Sequence, residues 1–297
     1  MPSYSSPSPS LVSVIIFLCI FSSYLNPAES DARTDSFIYG GCSQAKYSPN
    51  SVYESNINSL LTSLVNSATY STYNNFTIMG SSSADTAYGL YQCRGDLSMP
   101  DCTNCVARAV SQIGTLCSNA YGGALELQGC FVKYDNTKFL GVEDKTVVLK
   151  KCGPATGYDT DALGRRDALL AGLGSGGGPY RVGGSGKIQG MAQCTGDLSM
   201  SECQDCLGSA IQELKSNCGT AISGDMFLAK CYVRYSAGGV DDQYRGGGSS
   251  SSSGGSGHSS SDDAEKALAI TVGLLAGVAV LIVFAAFLRK AFGGKGK

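Results

Sequence analysis

The residues best suited to chemistry in this sequence are cysteines, which either pair as disulfides or bind metal ions. Five cysteines in the N-terminal half are separated by 8, 2, 11 and 12 residues, and five in the C-terminal half repeat those four spacings. One more cysteine precedes each group, so each copy has six: Cys42, Cys93, Cys102, Cys105, Cys117 and Cys130, then Cys152, Cys194, Cys203, Cys206, Cys218 and Cys231. The repeated spacings predict an internal duplication.

Zinc binding is one interpretation of Cys102-x-x-Cys105 and Cys203-x-x-Cys206, because this spacing is common in zinc sites. A single zinc ion would, however, leave other cysteines of each copy unpaired. The sequence also begins with a segment typical of secreted proteins, and cysteines in oxidising compartments form disulfides. We therefore expect disulfides and no metal, although the spacing alone leaves fifteen connectivities open for each copy.

Residues for other kinds of catalysis are scarce. The single histidine, His258, lies in a Gly/Ser-rich stretch, which excludes Ser-His and Cys-His catalysis and His-ligated zinc in the two copies. The carboxylates that recur in both copies are Asp96 with Asp197 and Asp101 with Glu202, and turns and helix caps explain them. We therefore predict a protein that is not an enzyme and needs no cofactor.

Helix signals lie beside the short cysteine spacings and would position them. Ser98 precedes Asp101 by three residues, and Ser199 precedes Glu202 by three, which is typical of an N-cap serine with an acidic residue in the first turn. A helix should therefore begin at each C-x-x-C. Apolar residues at helical spacing continue to Leu116/Cys117 in the first copy and to Cys218 in the second, so the cysteines are expected on a buried stripe.

Alternating runs after these helices, ALELQGCFVKY at 124–134 and MFLAKCYVRY at 226–235, suit antiparallel strands. Each copy also has an opening strand, predicted at 37–39 in the first copy and within TVVLKKC before Cys152 in the second. Amphipathic patterns predict the first helix of each copy, and these helices are expected at 57–68 and 159–173.

Two further stretches are interpreted as loops. The glycine-rich run at 174–186 lacks the GK[ST] sequence of a phosphate-binding loop, so we expect a connection between a helix and a strand. Asn75-Phe76-Thr77 is an N-glycosylation sequon in a polar stretch, and we predict a glycan on Asn75 in a surface loop.

Both ends of the sequence carry targeting patterns. Residues 1–30 have an apolar core followed by small residues, which predicts a secretory signal peptide, with an N-terminal membrane anchor as the alternative. Residues 267–288 contain no charged side chain and are long enough to span a bilayer as a helix. Four basic residues in the tail at 289–297 place the C-terminus in the cytosol, which gives a type I topology.

The remaining composition limits the partners. Residues 31–266 carry 18 basic and 23 acidic residues, so no basic patch for nucleic acid is expected. The segment 245–266 is rich in Gly and Ser and predicts a flexible tether. Gly273-x-x-x-Gly277 lies in the predicted membrane helix and permits close helix packing. This motif favours self-association. The alternative is that the two glycines are ordinary apolar residues of the membrane helix with no role in packing.

The pattern C-x8-C-x2-C, with one cysteine before and two after, resembles the ginkbilobin-homologous domain of plants, also called the stress-antifungal domain. Two such modules, expected at 33–140 and 145–244, with one membrane helix and no kinase resemble the plasmodesmata-located proteins. The resemblance implies an α+β fold of two tandem disulfide-stapled modules, each with two helices on an antiparallel sheet of about five strands, followed by a single transmembrane helix.

The same resemblance implies how the cysteines pair. In each module the first cysteine would pair with the fifth, the second with the third, and the fourth with the sixth. The implied disulfides are Cys42–Cys117, Cys93–Cys102, Cys105–Cys130, Cys152–Cys218, Cys194–Cys203 and Cys206–Cys231.

The resemblance also implies a function without catalysis: a type I plasma-membrane protein at plasmodesmata that modulates cell-to-cell trafficking through contacts with other membrane or cell-wall proteins, in a homo- or hetero-oligomer. The alternative is a surface lectin that binds wall polysaccharide or takes part in defence. The antifungal member binds mannose through an Asn, an Arg and a Glu. Those positions are Ser43, Ala124 and Asp135 in the first copy, and Gly153, Asp225 and Ser236 in the second. Only Asp135 keeps the chemistry, which favours protein contacts.

Overall fold

The computed structural model describes residues 34–155, 157 and 159–237, which form two modules of one design. Module 1 contains β1 (Phe37–Cys42), α1 (Val52–Ser67), β2 (Tyr73–Ile78), β3 (Ala87–Cys93), α2 (Met99–Leu116), β4 (Gly123–Leu127) and β5 (Cys130–Asp135). Module 2 contains β6 (Val147–Cys152), α3 (Thr160–Ser175), β7 (Tyr180–Ser185), β8 (Ile188–Cys194), α4 (Met200–Cys218), β9 (Ser223–Leu228) and β10 (Cys231–Ala237).

Each module has a five-stranded antiparallel sheet. The strand order is β1-β4-β5-β3-β2 in module 1 and β6-β9-β10-β8-β7 in module 2, so the two orders correspond strand by strand. The helices of each module pack on one face of its own sheet, α1 on β2 and β3 and α2 on β4 and β5. The predicted α+β architecture of two tandem modules is therefore confirmed.

The helices that carry the C-x-x-C sequences begin where the sequence predicts. Ser98 caps α2, and its side chain accepts a hydrogen bond from the backbone N–H of Asp101. Ser199 caps α4 in the same way, and Glu202 completes a capping box by accepting from the backbone N–H of Ser199. These bonds satisfy N–H groups that the first turn of a helix leaves unpaired.

The core of each module lies between the helices and the sheet. In module 1 it includes Leu60 and Leu64 of α1 and the α2 residues Val106 and Ile113, all almost completely buried. The cysteines of both helices face this core, as their helical spacing predicts. The core therefore combines apolar packing with a sulfur framework.

Two loop predictions are wrong. The glycine-rich run at 174–186 contains β7, which pairs with β8 from Tyr180 to Ser185. An edge strand needs only backbone hydrogen bonds on one side, so glycine-rich composition does not prevent it from forming. Asn75 likewise lies in an edge strand, β2, where it pairs with Leu90 of β3 and its side chain is exposed.

Several predicted segments lie outside the described residues: the signal peptide at 1–30, the tether at 245–266, the membrane segment at 267–288 with Gly273 and Gly277, and the tail at 289–297. The searched part of the chain, residues 34–155, 157 and 159–237, contains no helix that is both long and apolar enough to cross a membrane.

Candidate functional site

The two sheets face each other through the sides that their helices leave uncovered, and aromatic rings fill the centre of this seam. Tyr39 of β1 lies with its ring centroid 5.7 Å from that of Phe227 of β9, and 6.5 Å from that of Phe131 of β5. Phe227 in turn lies 5.1 Å from Tyr232 of β10. Ring contacts at these distances favour a fixed arrangement of the two modules.

The repeated sequence motif supplies a glutamine from each module to the seam. Gln193 Nε2 donates a hydrogen bond to the backbone carbonyl of Cys93 at 2.9 Å. In the opposite direction, the backbone N–H of Gly196 donates to Gln92 Oε1 at 2.9 Å. Gln92 and Gln193 are the same position in the two copies, so the seam is approximately two-fold symmetric.

A glycine of the same motif receives a tyrosine ring from the other module. A Cβ atom added at Gly95 would lie 2.4 Å from Cγ of Tyr180, and one added at Gly196 would lie 2.6 Å from Cγ of Tyr73. Both distances are too short for a real side chain, so each contact requires glycine. Tyr73 and Tyr180 are themselves equivalent, since each pairs with the motif glutamine in the neighbouring strand.

Buried polar side chains lie between the rings. Arg234 Nε donates to Asp225 Oδ1 at 3.1 Å, and Arg234 also donates to Gln128 Oε1 of module 1 at 3.1 Å. Glu126 of β4 is buried nearby, and burial raises its pKa to about 8 even though the charge of Arg234 opposes this shift. A carboxyl group with this pKa is mainly protonated at neutral pH.

The space that remains at the seam is small. The cavity lined by Arg94, Glu126, Gln193, Tyr232 and Arg234 holds about 30 Å³, which suits one or two water molecules rather than a sugar ring. The seam is therefore an interface between the modules. Contacts with other molecules are expected on the outer surfaces.

The segment between the modules is fixed against module 2. The centroid of the Phe139 ring lies 4.6 Å from Lys133 Nζ and 5.0 Å from Lys230 Nζ. Lys230 donates to the carbonyl of Phe139 at 2.9 Å and forms a buried ion pair with Asp197. Asp197 also accepts from the backbone N–H of Gly141 at 2.9 Å. The sequence suggests only a turn role for Asp197. In the structure Asp197 also holds the segment between the modules against module 2.

The positions that correspond to a mannose site do not form one. In module 1 the Ser43 hydroxyl and the Asp135 carboxylate make hydrogen bonds to backbone groups of nearby turns, and Ala124 offers no polar side chain. In module 2 Asp225 is fully buried in its ion pair with Arg234. The side chain at this position therefore stabilises the seam and is closed to a sugar.

The twelve cysteines among the described residues lie in six pairs, each within one module. The pairs are Cys42 with Cys117, Cys93 with Cys102, Cys105 with Cys130, Cys152 with Cys218, Cys194 with Cys203, and Cys206 with Cys231. Sulfur–sulfur distances are 1.90 to 2.09 Å. Over the residues that the structure describes, no three His, Cys, Asp or Glu side chains converge as metal ligands.

The predicted glycosylation residue is accessible. Asn75 is exposed on β2, and its Nδ2 donates to Tyr73 Oη at 2.7 Å. The seam roles of the motif glutamines and glycines were not predicted from the sequence. The signal was present, because Gln92 with Gln193 and Gly95 with Gly196 recur at identical offsets from the repeated cysteine spacings.

Comparison with known proteins gives consistent matches over most of the chain. Residues 41–137 and 167–238 match the Salt stress response/antifungal family. Plasmodesmata-located protein 7 of Arabidopsis thaliana is 61% identical over 275 residues, covering 93% of this chain and 89% of that protein. Plasmodesmata-located protein 6 of the same plant is 57% identical, covering 93% and 95%.

A solved structure agrees with the fold. The tandem DUF26 ectodomain of the Arabidopsis thaliana cysteine-rich receptor-like protein PDLP5 is 52% identical, with a TM-score of 0.66, and the match covers 69% of this chain and all of that one. Sequence identity over nearly the whole chain and the matching tandem modules lead to one conclusion: the chain belongs to the family of plasmodesmata-located proteins.

Proposed function

We propose that this chain is a non-enzymatic type I membrane protein of plasmodesmata, and that it modulates cell-to-cell trafficking through contacts of its extracellular modules with other proteins or with the wall. The observation that carries the proposal is the 61% identity with Plasmodesmata-located protein 7 over 93% of this chain. A match of that extent includes residues beyond the two modules, where targeting and anchoring signals are expected.

The proposed topology follows from the sequence pattern. Residues 1–30 would be removed on secretion, residues 267–288 would cross the membrane, and residues 289–297 would lie in the cytosol. An effect on trafficking would arise from contacts that the modules make outside the cell and from membrane partners.

Six disulfides within the modules are part of the proposal. The sulfur distances support them, and each closed loop would stabilise its module by a few kcal/mol, roughly 2–4, by restricting the unfolded chain. Peptide mapping of the secreted protein under non-reducing conditions tests the pairing. A bridge between modules, or bound zinc, would contradict it.

Location and role are tested together in plant tissue. A full-length chain with a fluorescent protein at its C-terminus should give puncta at the channels between cells, and overexpression should reduce the spread of a small diffusible reporter. A matched fusion that keeps residues 246–297 but carries an unrelated secreted domain separates the modules from the anchor. Even surface labelling with unchanged reporter movement would refute the proposal.

A further inference from the structure

The four sheet edges of the molecule are protected to different degrees. Edge strands expose unpaired N–H and C=O groups, and proteins usually block them with lysines or with inward-pointing charges. β6 carries Lys150 and Lys151, and β7 carries Arg181, which points inward and donates to the carbonyls of Leu173 and Gly174. β2 carries the exposed Asn75, the predicted glycosylation residue.

The fourth edge, β1, has no lysine and no inward-pointing charge, and it shares with β6 a register shift near its start, between Phe37 and Tyr39. Its sequence, FIYGGC, contains no charged residue, and among the described residues it pairs only with β4. Phe37 is 55% exposed, and Leu116 at the end of α2 is 50% exposed. A Cβ added at Gly40 would lie 2.6 Å from Leu116 Cδ2 and 3.3 Å from Phe37 Cε2, so both apolar side chains lie against the strand.

The equivalent edge of module 2 keeps an exposed apolar residue, Val147, at the position of Phe37, but it is polar at the positions of Gly40, Gly41 and Leu116. Counting from the first cysteine of each module, Gly40 and Gly41 correspond to Lys150 and Lys151. Counting from the fifth, Leu116 corresponds to Asn217. Lys150 Nζ donates to Asn217 Oδ1 at 2.8 Å, so module 2 has a hydrogen bond where module 1 exposes Leu116 beside Gly40.

We propose that the outer edge of β1 is an interface at which two copies of this chain pair strand to strand. An antiparallel pair of identical strands is two-fold symmetric, as homodimer interfaces usually are. Pairing about Gly40 and Gly41 brings small, uncharged residues together and covers Phe37 and Leu116 of both copies. The same pairing of two β6 strands would bring lysines of one copy against lysines of the other, which is repulsive.

The interface is small. One six-residue strand and two apolar side chains per copy bury less than the ~1,200–2,000 Å² of a stable complex, so the pairing is weak and requires a high local concentration. The inference depends neither on plasmodesmal location nor on the membrane anchor, since the paired residues all lie in module 1.

The test uses the purified, oxidised full-length chain in detergent at about 0.1 mM, a concentration suited to a weak interface. Phe37 is replaced by the photo-crosslinking residue p-benzoylphenylalanine, in a chain that also carries Gly273→Ile and Gly277→Ile to suppress packing of the membrane segments. Illumination should give a covalent dimer. Mass spectrometry should map the link to the tryptic peptide at 34–46 of the second copy, or to the end of α2.

A matched pair of lysine variants decides the result. Gly41→Lys gives β1 the residue found at Lys151 of β6, and no atom lies within 4 Å of the added Cβ, so the module should fold normally. We expect about a tenfold loss of covalent dimer, because the two added lysines would face each other. Gly208→Lys adds the same charge at an open, exposed position of α4 and should leave the yield unchanged. Equal yields in the two variants, or links elsewhere in the second copy, would overturn the proposal.

Discussion

The two modules share one sulfur framework and one strand order, yet their cores are filled differently. In module 1, Tyr47, Tyr53 and Tyr121 pack together with ring centroids 4.9 to 5.9 Å apart. Leu60 faces Gly89 as Leu169 faces the equivalent Gly190, and this match aligns Tyr53 with Ala162. Counting from the fifth cysteine of each module, Tyr121 corresponds to Ile222. At that end of module 2 the described residues leave a cavity of about 340 Å³. Disulfides thus hold a sheet and helix geometry that different side chains can fill.

The seam shows a second difference at equivalent strand positions. Arg234 and Asp225 of module 2 form a buried ion pair, whereas module 1 has Lys133 and Ala124 at those positions. Glu126 of module 1 corresponds to Phe227 of module 2. Duplication therefore supplied the symmetric contacts, while divergence placed an ionisable group from each module in the seam. Both features can be tested by paired substitutions.

The largest effect is expected from Arg234→Met. Removing this guanidinium leaves the carboxylate of Asp225 buried without its partner and removes the bond to Gln128 of module 1. We expect a loss of about 3–5 kcal/mol in the free energy of unfolding, measured by urea unfolding of the oxidised two-module region. Lys133→Met, at the same position of module 1, should cost less than about 1 kcal/mol, because it loses mainly a contact with the Phe139 ring. Equal losses would show that Arg234 and Lys133 contribute equally to stability, and the proposed difference between the modules at the seam would be wrong.

Tyr53→Ala would give module 1 the residue that module 2 has at this position. Tyr53 is fully buried, and its hydroxyl donates to the carbonyl of Tyr121. We expect a loss of about 3 kcal/mol from the cavity and the missing bond. Tyr70→Ala is the matched control, since Tyr70 is 70% exposed, and it should change stability by less than about 0.5 kcal/mol. A small effect of Tyr53→Ala would mean that the sulfur framework alone sets stability.

Local features were predictable from the sequence, and contacts between modules were not. Ser98 and Ser199 mark helix starts because an N-cap bonds to a residue three positions away. β7 was missed because backbone pairing needs no apolar side chains, so its glycines suggested a loop. The bond from Arg234 to Gln128 of module 1, and the role of Gln193, depend on which sheet faces meet. Periodicity within one strand carries no information about that choice.

The pH dependence of stability should differ when Glu126 is replaced. Folding raises the pKa of Glu126 from 4.5 to about 8 through burial, so the folded state binds this proton more tightly than the unfolded state. The contribution of Glu126 to the free energy of unfolding is therefore fully present below its unfolded pKa, and it is lost as the pH rises through about 8. Glu126→Gln should remove this fall in stability between pH 5 and pH 8, as followed by thermal unfolding. Glu213→Gln, on the exposed face of α4, should keep the wild-type slope.

The smallest effects are expected at the helix caps, where the modules differ by one methylene group. In module 2 Glu202 reaches the backbone N–H of Ser199 at 2.8 Å, whereas in module 1 the shorter Asp101 accepts from the Ser98 hydroxyl at 2.7 Å. Ser199→Ala and Ser98→Ala should each cost about 1 kcal/mol, and Ser199→Ala should cost more because it breaks a reciprocal pair.

Exchanging the acids isolates that reciprocal bond. Asp101→Glu should build the capping box in module 1 and raise its melting temperature slightly, while Glu202→Asp should lower that of module 2. The hydrogen bonds from Ser199 lower the pKa of Glu202, so the benefit of the box is present above the ordinary glutamate pKa and is lost as the pH falls below it. The two exchanges should therefore have opposite signs near neutral pH and converge in acid. Shifts of the same sign at neutral pH would show that side-chain length at this position does not distinguish the modules.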